Sequence, residues 1–344
     1  MKGFLKTLNM QNDARDETFD ILKGTAIVLV ILGHCRVGPL YSFIYSFHMP
    51  LFFFISGYFL KIRPLKEEMY LSTQRLIVPY IFASCCICAI ALFVALCGDA
   101  GLNFFQLRVV RNLLGFRGCV TPEWIDGHVG LLWFLLAMFW ARSIVVFLVN
   151  KIKSAKVIGV LCLTIGLLGI FIDVSIFVPY CISQGLSAAS LIFVGYLIRE
   201  FKWLDSDKMK KIVPLLILVW LYTWKNGGMS MARSWYSSGY IIDLIGSLGA
   251  FCTLFMVVKA SYRANSLIWK VIRFCGRYSL VVYVVHSIEY DLINWKFFAA
   301  NLRIPNEYYD VFQVSTRLCI VFLFTILILA IKPLREHVFQ IKTA

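Results

Sequence analysis

Residues 19–35, FDILKGTAIVLVILGHC, are apolar enough to form most of a membrane-spanning helix, yet they include Asp20, Lys23 and His34. Charges inside a membrane are rare and usually functional, because burying one costs at least ~2.5 kcal/mol. Lys23 and His34 are eleven positions apart, which is three helical turns plus about 20°. The stretch therefore predicts one polar helix face, with these two residues about 16 Å apart along the axis. Alternatively, Lys23 snorkels to the membrane surface and His34 only caps the other end.

The composition of the whole chain agrees with a membrane location. Of its 344 residues, 60% are hydrophobic and only 15% are charged, and the mean hydropathy is +0.77. An ordinary soluble domain has roughly 25% charged residues, so the composition excludes a soluble enzyme. It also excludes a disordered chain, because aromatic residues make up 16%. The sequence predicts a single all-α integral membrane domain over residues 1–344, embedded in the lipid bilayer.

Ten apolar stretches predict a polytopic bundle of about ten transmembrane helices, each of which needs about 20 residues. The seventh stretch is short, and the ninth is interrupted by polar residues. The ten predicted spans are residues 19–37, 41–60, 76–97, 129–149, 157–177, 181–198, 212–224, 239–258, 278–294 and 312–331.

The distribution of Lys and Arg predicts the orientation of the bundle. With the N-terminus in the cytoplasm, 23 of the 34 Lys and Arg residues fall in cytoplasmic segments, eight fall outside and three lie within spans. Because cytoplasmic loops carry an excess of Lys and Arg, we expect both termini in the cytoplasm and residues 98–128 outside. The same rule accounts for the formal net charge of +15, so no nucleic-acid partner is expected.

Three of the five His residues lie within predicted spans. His34 and His48 fall in the outer half of the bilayer, and Pro50 should kink the second helix beside His48. His286 lies in the ninth span. One such residue is easily explained by a helix–helix hydrogen bond, but three indicate a polar cavity in which an imidazole can act as a general base. The three lack the i,i+3 or i,i+4 spacing of zinc ligands, so no metal is expected.

Four cations form a second candidate group, because they fall where the first, third and ninth spans meet the cytoplasm. They are Lys23, Arg75, Arg273 and Arg277. Positive charge is expected at this surface in any membrane protein. Together with the polar face above them, these cations would suit the phosphates of an anionic cosubstrate such as a phosphorylated nucleotide.

Motifs along the chain resemble, in order, those of the acyltransferase-3 family of integral membrane acyltransferases. That family has an Arg or Lys, ten residues and then a His in its first span, which Lys23 and His34 match. The other matching motifs are FHMPLFFFISGY at residues 47–58, RLIVPY at 75–80, LWFL at 132–135, and GRYSL at 276–280 followed by Tyr283 and His286. The resemblance extends over most of the chain.

The resemblance implies acyl transfer, most commonly of acetyl from acetyl-CoA, to a hydroxyl of a cell-surface polysaccharide or its lipid-linked precursor. It implies a multi-pass protein of the bacterial cytoplasmic (inner) membrane, with an acyl-CoA donor on the cytoplasmic side and a glycan acceptor usually on the outer side. We expect Lys23, Arg75 and Arg277, with Arg273 beside them, to hold the CoA phosphates.

The same interpretation assigns the chemistry to the His residues. The arm of CoA, comparable in length to the separation of Lys23 from His34, would bring the thioester to His34, which takes the proton of the acceptor hydroxyl. His48 and His286 would stabilise the oxyanion, relay the proton or orient the sugar. The sequence leaves these three roles open.

Two features depart from the family pattern. Position 23 is Lys where many members have Arg, so a bidentate phosphate contact is less expected. The chain ends thirteen residues after the last predicted span, so we expect the membrane domain to deliver the acyl group without the extra hydrolase-like domain that some members carry.

A proton-coupled membrane transporter is the alternative from another functional class. His residues and charges on one helix face also describe a proton path. Secondary transporters usually contain paired halves or two matching interrupted spans, and the sequence shows neither.

Overall fold

The computed structural model describes residues 17–35, 38, 40–98, 101–125, 127–263 and 266–341. These residues are predominantly helical, and each of the ten predicted spans overlaps a helix or a pair of helices. The end of the first predicted span, at Val37, lies outside the described residues. The α-helices are α1 Glu17–His34, α2 Leu40–Tyr45, α3 His48–Tyr58, α4 Leu65–Ser72, α5 Val78–Cys97, α6 Gly101–Leu114, α7 Trp133–Lys151, α8 Ala155–Ser175, α9 Ile182–Glu200, α10 Asp207–Lys225, α11 Tyr240–Ser261, α12 Leu267–Arg277, α13 Ser279–Leu292, α14 Trp295–Asn301 and α15 Tyr309–Ala330.

In the described part of the chain, seven helical segments are long and apolar enough to cross a membrane, or eight if the bent pair α12 and α13 is one span. The other two predicted spans lie on α1 and α10, which have charged residues in their first two turns. The protein is therefore an all-α membrane bundle. The number of crossings and the side on which the termini lie stay predictions.

Burial separates central helices from peripheral ones. α7 and α9 are mostly buried, whereas α5, α8 and α15 present rows of exposed apolar side chains. Lipid tails are as apolar as these side chains, so helices with such surfaces belong at the lipid-facing periphery. The three His residues predicted to be functional come from α1, α3 and α13, and α7 packs against this group from the centre of the bundle.

α1 and α12 approach each other more closely than side chains would permit. A Cβ on Gly24 would lie 1.9 Å from the Ile272 carbonyl oxygen, and a Cβ on Gly276 would lie 1.5 Å from the Asp20 carbonyl oxygen. Small residues allow such close contact between membrane helices. The chain then bends by 80° between α12 and α13, so the α1–α12 contact determines where α13 begins.

The second predicted span is broken immediately before His48. α2 ends at Tyr45 and α3 begins at His48, and Pro50 explains the break because a proline cannot bond the carbonyl four residues earlier. That carbonyl belongs to Ser46, whose hydroxyl accepts a hydrogen bond from the Trp220 indole at 2.8 Å. The kink predicted beside Pro50 is confirmed, and it lies one turn before the proline.

A short antiparallel hairpin covers this break. Its strands are β1 Met229–Ser230 and β2 Trp235–Tyr236, which pair with Met229 opposite Tyr236. Gly228 precedes β1 with φ of 78°, and a Cβ there would lie 2.9 Å from the Ser46 nitrogen. Glycine is needed at this position both for its backbone conformation and for the close packing of the hairpin on the helix break.

The close contact between α1 and α12 predicts a strict size limit. We expect Gly24→Ala to lower the free energy of unfolding by about 1–3 kcal/mol, as overpacking does, because the new methyl group meets backbone. Gly159→Ala is the matched control, since its Cβ would lie 3.6 Å from the nearest atom, on Phe193. Thermal unfolding in detergent measures both variants, and equal melting temperatures would show that the contact is not close.

The charge distribution predicts that Cys119 faces outward and that Lys208 faces the cytoplasm. Both are exposed. A membrane-impermeant thiol reagent should label Cys119 in intact cells, and should label Lys208→Cys, in a Cys119→Ser background, only after the cells are opened. Burial, together with the nearby Asp173 carboxylate, raises the pKa of the Cys119 thiol to about 11, so a mildly alkaline buffer and long incubation are needed. The opposite labelling pattern would invert the topology.

Candidate active site

Four cavities follow one another through the bundle, and we name each by the residues that line it. The basic cavity is lined by Lys61, Arg63, Arg75, Arg142 and Glu68. The middle cavity is mainly apolar and includes Lys23; the histidine cavity includes His34 and His48; and the arginine cavity includes Arg117 and Arg233. Neighbouring cavities share lining residues. The basic and middle cavities share Ser56, Phe59 and Leu76, and the middle and histidine cavities share Val30, Met49 and Tyr283. The histidine and arginine cavities share His34, Tyr45 and Arg117.

One face of α1 lines three of these cavities. Lys23, Ile27 and Val30 line the middle cavity, Val30 and His34 line the histidine cavity, and His34 also lines the arginine cavity. Their spacing of four, three and four residues is that of a single helix face. The geometry predicted for Lys23 and His34 is therefore present, and both side chains face the same row of cavities.

His34 lies among aromatic rings and a second imidazole. Its ring centroid is 5.5 Å from that of His286, 4.9 Å from that of Tyr290 and 6.3 Å from that of Tyr45. Within the part of the chain that the structure describes, no side chain hydrogen-bonds the His34 imidazole. The ring is therefore available to a substrate that enters from either the histidine or the arginine cavity.

His286 is held by a carboxylate. Its Nδ1 lies 2.9 Å from Glu289 Oε2, and because a carboxylate only accepts hydrogen bonds, Nδ1 must carry the proton. Glu289 is itself held, since Arg317 Nε lies 3.1 Å from Oε1 and the Trp295 indole donates to the same oxygen. The other ring nitrogen, Nε2, is buried without a partner in the described structure. His286 thus has a fixed orientation and one unused acceptor nitrogen.

His48 is oriented by the helix break that precedes it. Its Nδ1 lies 2.8 Å from the Ile44 carbonyl oxygen, so this nitrogen donates and Nε2 is left as an acceptor. The Tyr45 ring packs against His48 with centroids 4.7 Å apart. Tyr45 also approaches His34. His34 and His48 thus line the histidine cavity, and His286 lies outside that lining but beside His34. The individual roles of all three stay predictions.

The four predicted donor cations have four different settings. Arg75 lines the basic cavity, and Lys23 lines the middle cavity with its ammonium 3.0 Å from Asp20 Oδ1. Arg273 donates to Glu17 and to the Tyr262 hydroxyl. Arg277 places its guanidinium 5.7 Å from the centroid of its neighbour's ring, Tyr278. Arg75 therefore has different cationic neighbours from those predicted.

Sequence reasoning missed the cations that accompany Arg75. Arg142 Nε donates to Glu68 Oε1 at 2.8 Å and its Nη1 donates to Ser56 Oγ at 2.9 Å. Arg63 lies 3.8 Å from the same Glu68. The available signal was Arg142 itself, a charge inside the fourth predicted span, which is functional more often than not. Glu289 was also missed as a partner, although it follows His286 by three residues, one helical turn.

The arginine cavity lies at the other end of the row. It has a volume of about 710 Å³ and is lined by Arg117, Arg233, His128 and the rings of Tyr41, Trp235 and Tyr290. Burial first, and then the charges of Arg117, Arg233 and Arg111, lower the pKa of His128 to about 4. His128 is therefore neutral at physiological pH, and Arg117 and Arg233 supply the positive charge of the cavity.

The described residues contain no group of three or more His, Cys, Asp or Glu side chains placed to hold a metal ion. Three His residues gather, but each has a different neighbour: a carboxylate, a backbone carbonyl or an aromatic ring. The arrangement suits proton transfer and hydrogen bonding.

Comparisons with known proteins give partial matches to relatives. The chain is 32% identical over 117 residues to "Nodulation protein NolL" of Sinorhizobium fredii, which covers 29% of this chain and 32% of that protein. It is 45% identical over 56 residues to "Nodulation protein NolL" of Mesorhizobium japonicum, covering 13% and 15% respectively. The chain thus spans a third or less of these curated relatives. No solved structure matches the chain significantly.

A family model covers far more of the chain. The model described as "Acyltransferase domain" matches residues 16–332, which include α1 to α15 and all four cavities. The motifs at Lys23, His34, His48 and His286 fall within this match. The chain belongs to the acyltransferase-3 family.

Proposed function

We propose that the protein transfers an acyl group, most commonly acetyl, from acyl-CoA to a hydroxyl of a cell-surface glycan or its lipid-linked precursor. The observation that carries the proposal is that His34 and His48 line the third of four adjoining cavities, with His286 packed against His34. Family membership supports acyl transfer. We place the enzyme in the bacterial inner membrane, with the basic cavity toward the cytoplasm as the distribution of Lys and Arg predicts.

The basic cavity has the chemistry to hold the phosphates of the donor. Arg63, Arg75 and Arg142, with Lys61, outnumber the single carboxylate of Glu68, and guanidinium groups bind phosphate through charge-assisted hydrogen bonds. Apolar side chains of the middle cavity would then surround the CoA arm, with Lys23 beside it. From Lys23 to His34 the arm would run about 16 Å along α1, which places the thioester in the histidine cavity.

His34 acts as the general base in this proposal, because its ring faces the two cavities where donor and acceptor would meet. One ring nitrogen takes the proton of the acceptor hydroxyl, while the other, which already carries a hydrogen, needs an acceptor of its own. His286 Nε2 is an unpartnered acceptor beside it. Two imidazoles joined by an N–H···N bond have centroids about 5 Å apart, close to the 5.5 Å between His34 and His286.

The reaction then balances without a covalent enzyme intermediate. The acceptor oxygen attacks the thioester carbonyl and forms a C–O bond, and the C–S bond breaks when the tetrahedral intermediate collapses. The proton held by His34 passes to the departing CoA thiolate. Glu289 keeps His286 in the tautomer that accepts from His34, which is the orienting role of a carboxylate in a catalytic triad. His48, with an acceptor nitrogen on the same cavity, orients the sugar hydroxyl.

His34→Ala tests the general base. We expect acyl transfer from labelled acetyl-CoA to fall by about 10²–10⁴-fold, the contribution of a positioned base, while the protein still inserts and folds. His337→Ala is the matched control, because His337 is exposed and should retain activity. Transfer at the wild-type rate by His34→Ala, at equal protein levels, would exclude this mechanism.

Glu289→Gln separates orientation from base chemistry in the same assay. The amide keeps the size of the side chain but loses the carboxylate that sets the His286 tautomer. We expect a slower rate than wild type and a faster one than His34→Ala. Proton-coupled uptake with no acyl transfer in any of these preparations would favour the transporter instead.

Arg75→Gln tests the donor site. We expect binding of a non-hydrolysable acetyl-CoA analogue to weaken about tenfold, because a charge-assisted hydrogen bond contributes about 1.5–3 kcal/mol. Arg273→Gln is the matched control, since Arg273 already pairs with Glu17 near the surface. Calorimetry in detergent distinguishes them. A loss confined to Arg273→Gln would place the phosphates at α12, away from the basic cavity.

A further inference from the structure

The arginine cavity carries positive charge that no ion pair in the described part of the chain neutralises. Among its described lining residues there is no Asp or Glu, whereas Arg117 and Arg233 both line it. Neither guanidinium forms an ion pair within the described part of the chain, and Arg117 Nε is buried without a hydrogen-bond partner. Arg233 is exposed, but a buried charged group without a partner, such as the Arg117 Nε, is costly, so the cavity suits an anion.

The backbone of Arg117 is fixed, which distinguishes it from a mobile surface arginine. Its carbonyl oxygen accepts a hydrogen bond from Gln184 Nε2 at 2.8 Å. The same amide donates to Asp173 Oδ1 at 2.8 Å, and Ser183 donates to that oxygen at 2.7 Å. Asp173 Oδ1 is thus engaged, Asp173 Oδ2 is buried without a hydrogen-bond partner in the described structure, and no described ion pair joins Asp173 to the Arg117 guanidinium.

The low pKa of His128 agrees with the presence of these arginines, and burial is its first cause. After burial, its main causes are Arg117, Arg233 and Arg111, while Asp173 opposes them weakly. The cavity also contains the rings of Tyr41, Trp235 and Tyr290. Aromatic side chains with polar tips offer an apolar face together with a hydrogen-bonding group, which suits the two kinds of surface on a sugar.

We infer that the acceptor is an anionic glycan, whose acidic group binds Arg117 and Arg233 while a hydroxyl of the same or the adjacent sugar lies against His34. This inference rests on the proposed acyl transfer, since it names the class of acceptor. Arg117 lines both the histidine and the arginine cavities, so the acidic group lies next to the reacting hydroxyl. The volume of about 710 Å³ is within the range of ligand sites.

The charged group of such an acceptor has two chemical sources, a carboxylate on the sugar or the diphosphate of a lipid carrier. The experiment uses one probe for each. The first is tetragalacturonate, compared with its methyl ester, which has the same hydroxyls but no charge. The second is a neutral disaccharide on farnesyl diphosphate, compared with the free disaccharide. Binding to the full-length protein in detergent is measured by calorimetry.

We expect at least one charged probe to bind about tenfold or more tightly than its neutral partner, because each charge-assisted hydrogen bond contributes about 1.5–3 kcal/mol. Arg117→Gln and Arg233→Gln should each remove most of that difference, and Arg117→Lys should retain part of it. Lys296→Gln, an exposed cation outside the cavity lining, is the matched control and should bind as wild type does.

Two results would overturn the inference: equal affinity for charged and neutral partners, or no binding of any probe by the wild-type protein. An Arg117→Gln variant with lower kcat and unchanged KM for charged and neutral acceptors alike would also overturn it, because Arg117 would then stabilise the oxyanion. The same preparation is assayed for transfer from labelled acetyl-CoA. Charge-dependent binding without transfer would refute the proposed function alone, and transfer indifferent to acceptor charge would refute this inference alone.

Discussion

The contact of α1 with α12, backbone against backbone at Gly24 and Gly276, is the constraint on which the site depends. Both glycines place the position of a Cβ within 2 Å of a carbonyl oxygen, so the two helices have one separation and one register. α13 leaves α12 at 80° and carries His286 toward His34 on α1. A relative shift of these helices by a few tenths of an ångström would change the distance between the two imidazoles.

Two buried arginines each lie beside a carboxylate, as a membrane environment favours. Arg142 pairs with Glu68, and Arg317 lies beside Glu289, as expected where an unpaired charge is costly. Removing one member of such a pair costs about 3–5 kcal/mol, so these pairs hold helices distant in sequence together. Arg117 differs from both arginines because it lacks a described carboxylate partner, and this difference supports the inference that it binds a ligand.

Several of these features follow from local sequence. The shared face of Lys23 and His34 is a consequence of helical periodicity, and the break before His48 is a consequence of Pro50. Contacts between distant segments do not follow in this way. Glu68 and Arg142 are 74 residues apart, and the cations around Arg75 become one cavity only when α4 packs on α7. The sequence alone does not distinguish Arg273 from Arg75, because both are cations near the predicted cytoplasmic surface. In the structure, however, Arg273 forms an ion pair with Glu17.

The arginine cavity accounts for two exceptions to the charge rule that predicts the topology. Eight Lys and Arg residues fall in segments predicted to lie outside, where the rule disfavours them. Arg108 is one, and it pairs with Asp291 at 3.1 Å; Arg117 and Arg233 are two more, and both line the arginine cavity. Cations therefore line the two end cavities of the row. Between these ends lie the apolar middle cavity and the histidine cavity. Such a row suits two anionic substrates that enter from opposite ends and meet at a base, because each is attracted to its own end.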